Sequence, residues 1–135
     1  GFPGVFYIVA NRINNAQEFV NVEQLSTLIA AGWEVGSHGY THLDITKNHG
    51  SAQYEIGQSK VDLQKALGVP INTFAYPFGE IDPFTAQVVS NATYRAGMGL
   101  GRSITHTWNN LYYLHRIEIE GGFTLEQFTA VINPE

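Results

Sequence analysis

Two imidazoles four positions apart, His38 and His42, are the side chains in this sequence best suited to chemistry. They lie in the stretch Trp33-Glu34-Val35-Gly36-Ser37-His38-Gly39-Tyr40-Thr41-His42-Leu43-Asp44. On a helical turn that spacing puts both rings on one face, close enough to share a metal ion. Imidazole suits zinc and its divalent neighbours, and two such ligands leave room for a carboxylate and a water. The chain has no cysteine, so a metal must be held by His, carboxylate or carbonyl groups. Spacing alone is weak support, because two loop histidines on a polar surface give the same pattern. His49 either completes a three-histidine site or is simply solvated. Asp44 either caps a turn beside the loop or adds a carboxylate ligand.

The elements around these residues set their position. Val5-Phe6-Tyr7-Ile8-Val9 is continuously apolar, the pattern of a parallel strand buried on both faces. Asn21 with Gln24 three residues on is a capping box, and Val22, Leu25, Leu28 and Ile29 form the stripe of the helix it opens. Gly32 stops that helix, and the strand Trp33–Ser37 delivers His38 at its carboxyl end. Ser51 opens a longer helix with Ala52, Ile56, Leu63 and Leu67 inside, ended by Gly68 and Pro70. Thr73–Tyr76 reads as a short strand broken by Pro77-Phe78-Gly79, and Asp82 with Pro83 starts a third helix reaching about Ser90. Tyr94–Met98 and Tyr112–Ile119 are expected strands, separated by a Gly-rich polar loop over 97–110. A last helix begins at Thr124, with Gln127 completing a capping box and Phe128, Val131 and Ile132 on its inner face. In the strand before it His115 faces inward with Ile117 and Ile119. Arg116 takes the opposite face and a structural salt bridge.

Strands alternating with helices imply parallel pairing and right-handed crossovers, hence an open α/β sheet or a (β/α) barrel. Ligands in both gather at the carboxyl ends of the strands. His38 and the Tyr76-Pro77-Phe78 turn therefore fall on one face.

Composition narrows the possible partners. The 135 residues make a single domain, 1–135, with 44% hydrophobic and 14% charged residues. A net charge of -5 argues against nucleic acid or anionic membranes as main partners, and no apolar run is long enough to span a bilayer. Aromatics make up 13% of the chain; Tyr40 and Trp108 either line a sugar subsite or pack in the core and loops. The Asn91-Ala92-Thr93 sequon reads as an ordinary helix end unless the chain is exposed to glycosylation.

With these residues in view, the chain resembles the polysaccharide deacetylase family, the NodB-homology domains or family-four carbohydrate esterases. Gly32 to Asp44 resembles the family's metal-binding motif, Phe74-Ala75-Tyr76-Pro77-Phe78-Gly79 its third motif in the variant lacking Arg, and Leu114 to Ile119 a later barrel strand. The resemblance implies a distorted, partial (β/α) barrel lacking its first strand. It implies one divalent metal, zinc or else cobalt, nickel or manganese, held by His38 and His42 with an Asp. It also implies oxyanion or substrate contacts at Tyr76, Pro77 and Phe78, chiefly the Phe78 N–H. The motif that supplies the catalytic base and the Asp ligand is expected upstream of Gly1, and the motif that supplies the acid beyond Glu135. The implied reaction is metal-dependent removal of N-acetyl groups from a polysaccharide containing N-acetylglucosamine, outside the cytoplasm. Two alternatives stand beside it: an inactive or carbohydrate-binding relative, and a hydrolase of small cyclic amides. A missing first strand would expose a sheet edge and favour self-association.

Overall fold

The computed structural model describes residues 2–15 and 18–132. Strands β1 (Val5–Ile8), β2 (Glu34–Ser37), β3 (Thr73–Ala75), β4 (Ala96–Leu100) and β5 (Leu114–Arg116) form one sheet in the order β1-β2-β3-β4-β5. Every neighbouring pair is parallel. Helices α1 (Val22–Ala30), α2 (Ser59–Leu67) and α3 (Pro83–Asn91) connect successive strands, and α4 (Leu125–Ile132) follows the last. Among the described residues β1 and β5 do not pair with each other, so the barrel is open, as a partial (β/α) barrel should be.

The helix starts follow the capping chemistry of the sequence. The Asn21 side chain accepts from the Gln24 amide at 2.8 Å while the Gln24 carbonyl oxygen accepts from the Asn21 N–H. Asp82 and Thr85 make the same reciprocal pair at the start of α3, and Thr124 and Gln127 do so before α4. Ile8, Val35, Phe74 and Tyr76 from the sheet meet Leu25, Ile56, Leu63 and Val89 from the helical side in one core. Each large apolar side chain buried there contributes about 1.5–3 kcal/mol. The Tyr94 hydroxyl donates to the Ile56 carbonyl at 3.0 Å, and burial pushes its pKa up to about 12.

Several elements depart from expectation. β1 is not buried on both faces: Val5 and Phe6 are 39% and 38% exposed, because among the described residues β1 is an edge strand that pairs only with β2. The helix expected from Ser51 begins as a 3-10 turn at His49–Ser51 and passes through a π turn at Tyr54–Gln58 before α2 becomes regular. β4 lies two residues later than Tyr94–Met98, since Met98 must partner both Ala75 and Leu114. β5 is three residues rather than eight. No residue of α4 is buried: Phe128 and Ile132 lie open where an inner face was expected, because no strand beyond β5 is present among the described residues to receive them.

Candidate functional site

β2 carries His38 to the carboxyl edge of the sheet, where the His38 N–H still donates to the Ile8 carbonyl at 2.8 Å. Its ring Nδ1 lies 2.7 Å from the Ala75 carbonyl oxygen at the end of β3. A carbonyl only accepts, so Nδ1 carries the proton and Nε2 keeps its lone pair. The His42 ring stands 4.8 Å from the His38 ring, at 70° to it. The helical turn inferred from the spacing is not what joins them. The connection is a loop with two left-handed residues, Gly39 at φ +83° and His42 at φ +69°. For His42 that conformation costs about 1–2 kcal/mol, which the surrounding contacts must offset.

A residue that the sequence reading passed over supplies those contacts. Glu55, 3% exposed, lies on the π turn before α2. Its Oε2 accepts from the amides of Tyr40 at 2.9 Å and Thr41 at 2.8 Å, and its Oε1 accepts from the Thr41 hydroxyl at 2.6 Å. Ser59, one turn on, donates to the Ile56 carbonyl and accepts from the Ser37 hydroxyl at 2.8 Å. One helix face thus grips the end of β2 and the loop after it. The available signal was an acidic residue directly beside Ile56 in an otherwise apolar helix stripe.

Opposite the histidines lies the Pro77–Gly79 turn. Phe78 takes φ +60° and its ring reaches within 4.7 Å of the His42 ring, while 58% of the residue remains exposed. The amides of Gly79 and Glu80 close onto the carbonyls of Tyr76 and Pro77. Tyr76 itself is fully buried, with its hydroxyl donating to the Tyr112 carbonyl at 3.0 Å and burial raising its pKa well above that of a free phenol. Tyr76 and Pro77 therefore shape the turn from beneath, and Phe78 alone of the three meets solvent.

The floor of the site is aromatic and cationic. The Tyr7 ring lies across Gly36, where any Cβ would sit 2.4 Å from it, and the Tyr7 hydroxyl donates to the Met98 sulfur at 3.1 Å. Arg116 stands 5.5 Å from the centre of that ring and its Nε donates to the Gly99 carbonyl at 3.2 Å. Strand alternation puts Arg116, not His115, on the side of Tyr7 and His38. Arg116 forms no ion pair with a carboxylate among the described residues, so the expected salt bridge is replaced by a carbonyl and a ring. His115 accepts from the Ser103 N–H at 3.0 Å and packs beneath Gly101. Burial lowers the His38 pKa, the Ala75 bond opposes this, and His42 and Arg116 push it down further.

The remaining candidates lie apart. Both Asp44 oxygens are engaged, one by the amide and hydroxyl of Thr46 and the other by Lys47 at 2.7 Å, as befits a turn cap. His49 is paired with Asp82 at 2.6 Å and stacked on Phe84. Tyr40 meets Tyr54 edge-on, Trp108 is 88% exposed, and Asn91 accepts from Gln87 at the end of α3. Among the described residues no third His, Asp or Glu joins His38 and His42.

Five parallel strands joined by helices, with a histidine pair at their carboxyl edge, make this a partial (β/α) barrel. The chain belongs to the polysaccharide deacetylase family, whose model matches residues 1–97. Among solved structures it is similar to the deacetylase PplD of Streptococcus pyogenes, in complex with acetate, at 21% identity and TM-score 0.89, covering 98% of this chain and 59% of that one. It is also similar to a polysaccharide deacetylase from Bacillus cereus, at 23% identity and TM-score 0.86, covering 98% of this chain and 43% of that one. A de-N-acetylase from Aggregatibacter actinomycetemcomitans aligns at 14% identity and TM-score 0.81, covering 96% of this chain and 65% of that one. The chain thus spans less than two thirds of each of these structures. Among curated proteins there is no match.

Proposed function

We propose that the chain carries the metal-binding half of a deacetylase that hydrolyses N-acetyl groups on a polysaccharide containing N-acetylglucosamine. The observation that carries this reading is the His38–His42 pair, with His38 Nδ1 tied to the Ala75 carbonyl. A histidine that donates one ring nitrogen to a carbonyl presents the other as a fixed ligand, the usual outer-sphere arrangement at metal sites. Two neutral imidazoles fit zinc, and also cobalt, nickel or manganese. They are an incomplete set, and the remaining ligands would be water or a carboxylate beyond the described residues. A bound divalent ion supplies Lewis-acid polarisation of the amide carbonyl and a water of lowered pKa.

The protein's own groups bind and orient. Among the described residues the Phe78 N–H has no hydrogen-bond partner in its turn, and it supports the developing oxyanion. The exposed Phe78 ring offers a face for a sugar. In the reaction a water oxygen bonds to the carbonyl carbon, the C–N bond breaks, and the nitrogen takes up a proton, releasing acetate and an amine. Polymers of this kind lie outside the cytoplasm, which supports a secreted, periplasmic or cell-surface setting. Among the described residues no helix is long and apolar enough to cross a membrane. Among the described residues β1 pairs only with β2, and that edge, with Val5 and Phe6 half-open, supports self-association.

The test is acetate release from N-acetylated chito-oligomers by the zinc-loaded whole protein that carries this chain, beside ring opening of small cyclic amides. Acetate release supports the proposal. Oligomer binding without acetate makes the chain a carbohydrate-binding relative, and ring opening alone makes it a cyclic-amide hydrolase.

A further inference from the structure

We infer that Glu55 is the positioning residue of the histidine loop, and that it sets the loop's affinity and geometry for a divalent cation. The inference rests on the proposed metal role of His38 and His42. Its geometry is independent of that role. The carboxylate binds the loop at its midpoint, through Tyr40, two residues from each histidine, and through its neighbour Thr41. Both left-handed positions flank this grip, with Gly39 on one side and His42 on the other. Gly39 also lets the carboxylate approach: a Cβ there would stand 3.3 Å from Glu55 Oε2.

Three features separate this from ordinary packing. Glu55 is buried and makes no ion pair among the described residues, and loop N–H and O–H groups meet its oxygens instead. A buried carboxylate held only by N–H and O–H groups is a costly arrangement unless something draws on it. Glu55 is also presented by a π turn, and such turns concentrate at functional sites. Finally, Ser59 on the same helix face holds Ser37, so the start and the middle of the histidine segment are fixed from one rigid element. A divalent ion at His38 and His42 would meet a loop already shaped for it.

The experiment is titration of the metal-free chain with Zn²⁺ by calorimetry and with Co²⁺ by its visible absorption. The chains compared are wild type, Glu55→Gln, Thr41→Val and, as a structural control, Tyr94→Phe. The control removes a hydroxyl bond to the same π segment at Ile56; that hydroxyl also lies beside the Ser37 and Ser59 hydroxyls but bonds neither Tyr40 nor Thr41. Circular dichroism fixes a temperature at which all four are folded. Glu55→Gln should weaken Zn²⁺ binding by about 10- to 100-fold and alter the Co²⁺ spectrum, the range found when outer-sphere partners of metal ligands are removed. Thr41→Val should weaken it less, and Tyr94→Phe should leave it unchanged. Equal affinity and an equal Co²⁺ spectrum in wild type and Glu55→Gln would overturn the inference, as would equal losses in Glu55→Gln and Tyr94→Phe. If wild type itself binds neither ion, the metal role of the histidines fails first. Should Glu55→Gln not fold, Thr41→Val against Tyr94→Phe decides: no difference between them sinks the inference.

Discussion

His38 Nδ1 and the Ala75 carbonyl oxygen, on neighbouring strands, are 2.7 Å apart. The contact fixes which ring nitrogen faces outward, and it does so from a backbone group that substitution does not remove. His38→Ala should therefore abolish metal binding while leaving the sheet intact. We expect Zn²⁺ affinity to fall by more than about 100-fold, beyond the loss of an outer-sphere partner, with the far-ultraviolet spectrum unchanged. His42→Ala should do the same. Metal analysis after dialysis checks both, and metal retained at the wild-type level would refute the assignment.

Acidity should act on the fold through the same residue. Burial lowers the His38 pKa below its ordinary value of 6.5. As pH falls, the unfolded chain takes up that proton before the native one does. Stability contributed at His38 is thus fully present above pH 6.5 and declines below it, down to the depressed native pKa. Urea unfolding in the presence of a chelator, between pH 7 and about 5, should give a shallower pH slope for His38→Asn than for wild type. His42, His49, His106 and His115 remain in both chains, so the difference reports removal of the His38 ring together with its contact with His42. Identical slopes would contradict the assigned shift.

Tyr7 and Gly36 form a second pair that a substitution can test. A Cβ on Gly36 would lie 2.4 Å from the Tyr7 ring and 2.9 Å from the Thr73 hydroxyl. Gly36→Ala should cost about 1–3 kcal/mol by overpacking, measured by chemical unfolding. Tyr7→Leu in the same chain should recover part of that loss, and simple additivity of the two changes would show that the ring is not the obstacle.

The edge of β1 gives a prediction about assembly. Phe6 is 38% exposed on a strand that, among the described residues, is paired on one side only. Phe6→Lys should lower self-association, read by light scattering behind size exclusion over a concentration series. A wild-type chain that stays monomeric throughout would remove the premise.

Much of this molecule can be read in its sequence, because it is written in local rules. The capping boxes at Asn21 and Thr124, the helix start at Asp82 and Pro83, the turn at Pro77, and the arrival of His38 at a strand's end each depend on a few adjacent residues. What escaped depends on distant partners. Arg116 meets Tyr7 on one face from the opposite end of the strand order, and the frame of β5 is set by its register with β4, so no pattern within Tyr112–Ile119 could choose the face. Glu55 is legible only once the loop that it holds has been placed. The spacing of Ile56 and Leu63 fits a regular helix as well as it fits the actual one, which hid the π turn.

That turn has a consequence for comparing this chain with its relatives. A π turn stores one residue more than a regular helix needs. Glu55 and Ile56 of the turn are buried, while a side chain at Gly57 would meet open space. Deletion of the extra residue would rotate everything before it by about 100° relative to α2, and Glu55 would swing off the loop. Residue number here is thus as consequential as residue identity: a relative one residue shorter in this helix must steady its histidines from somewhere else.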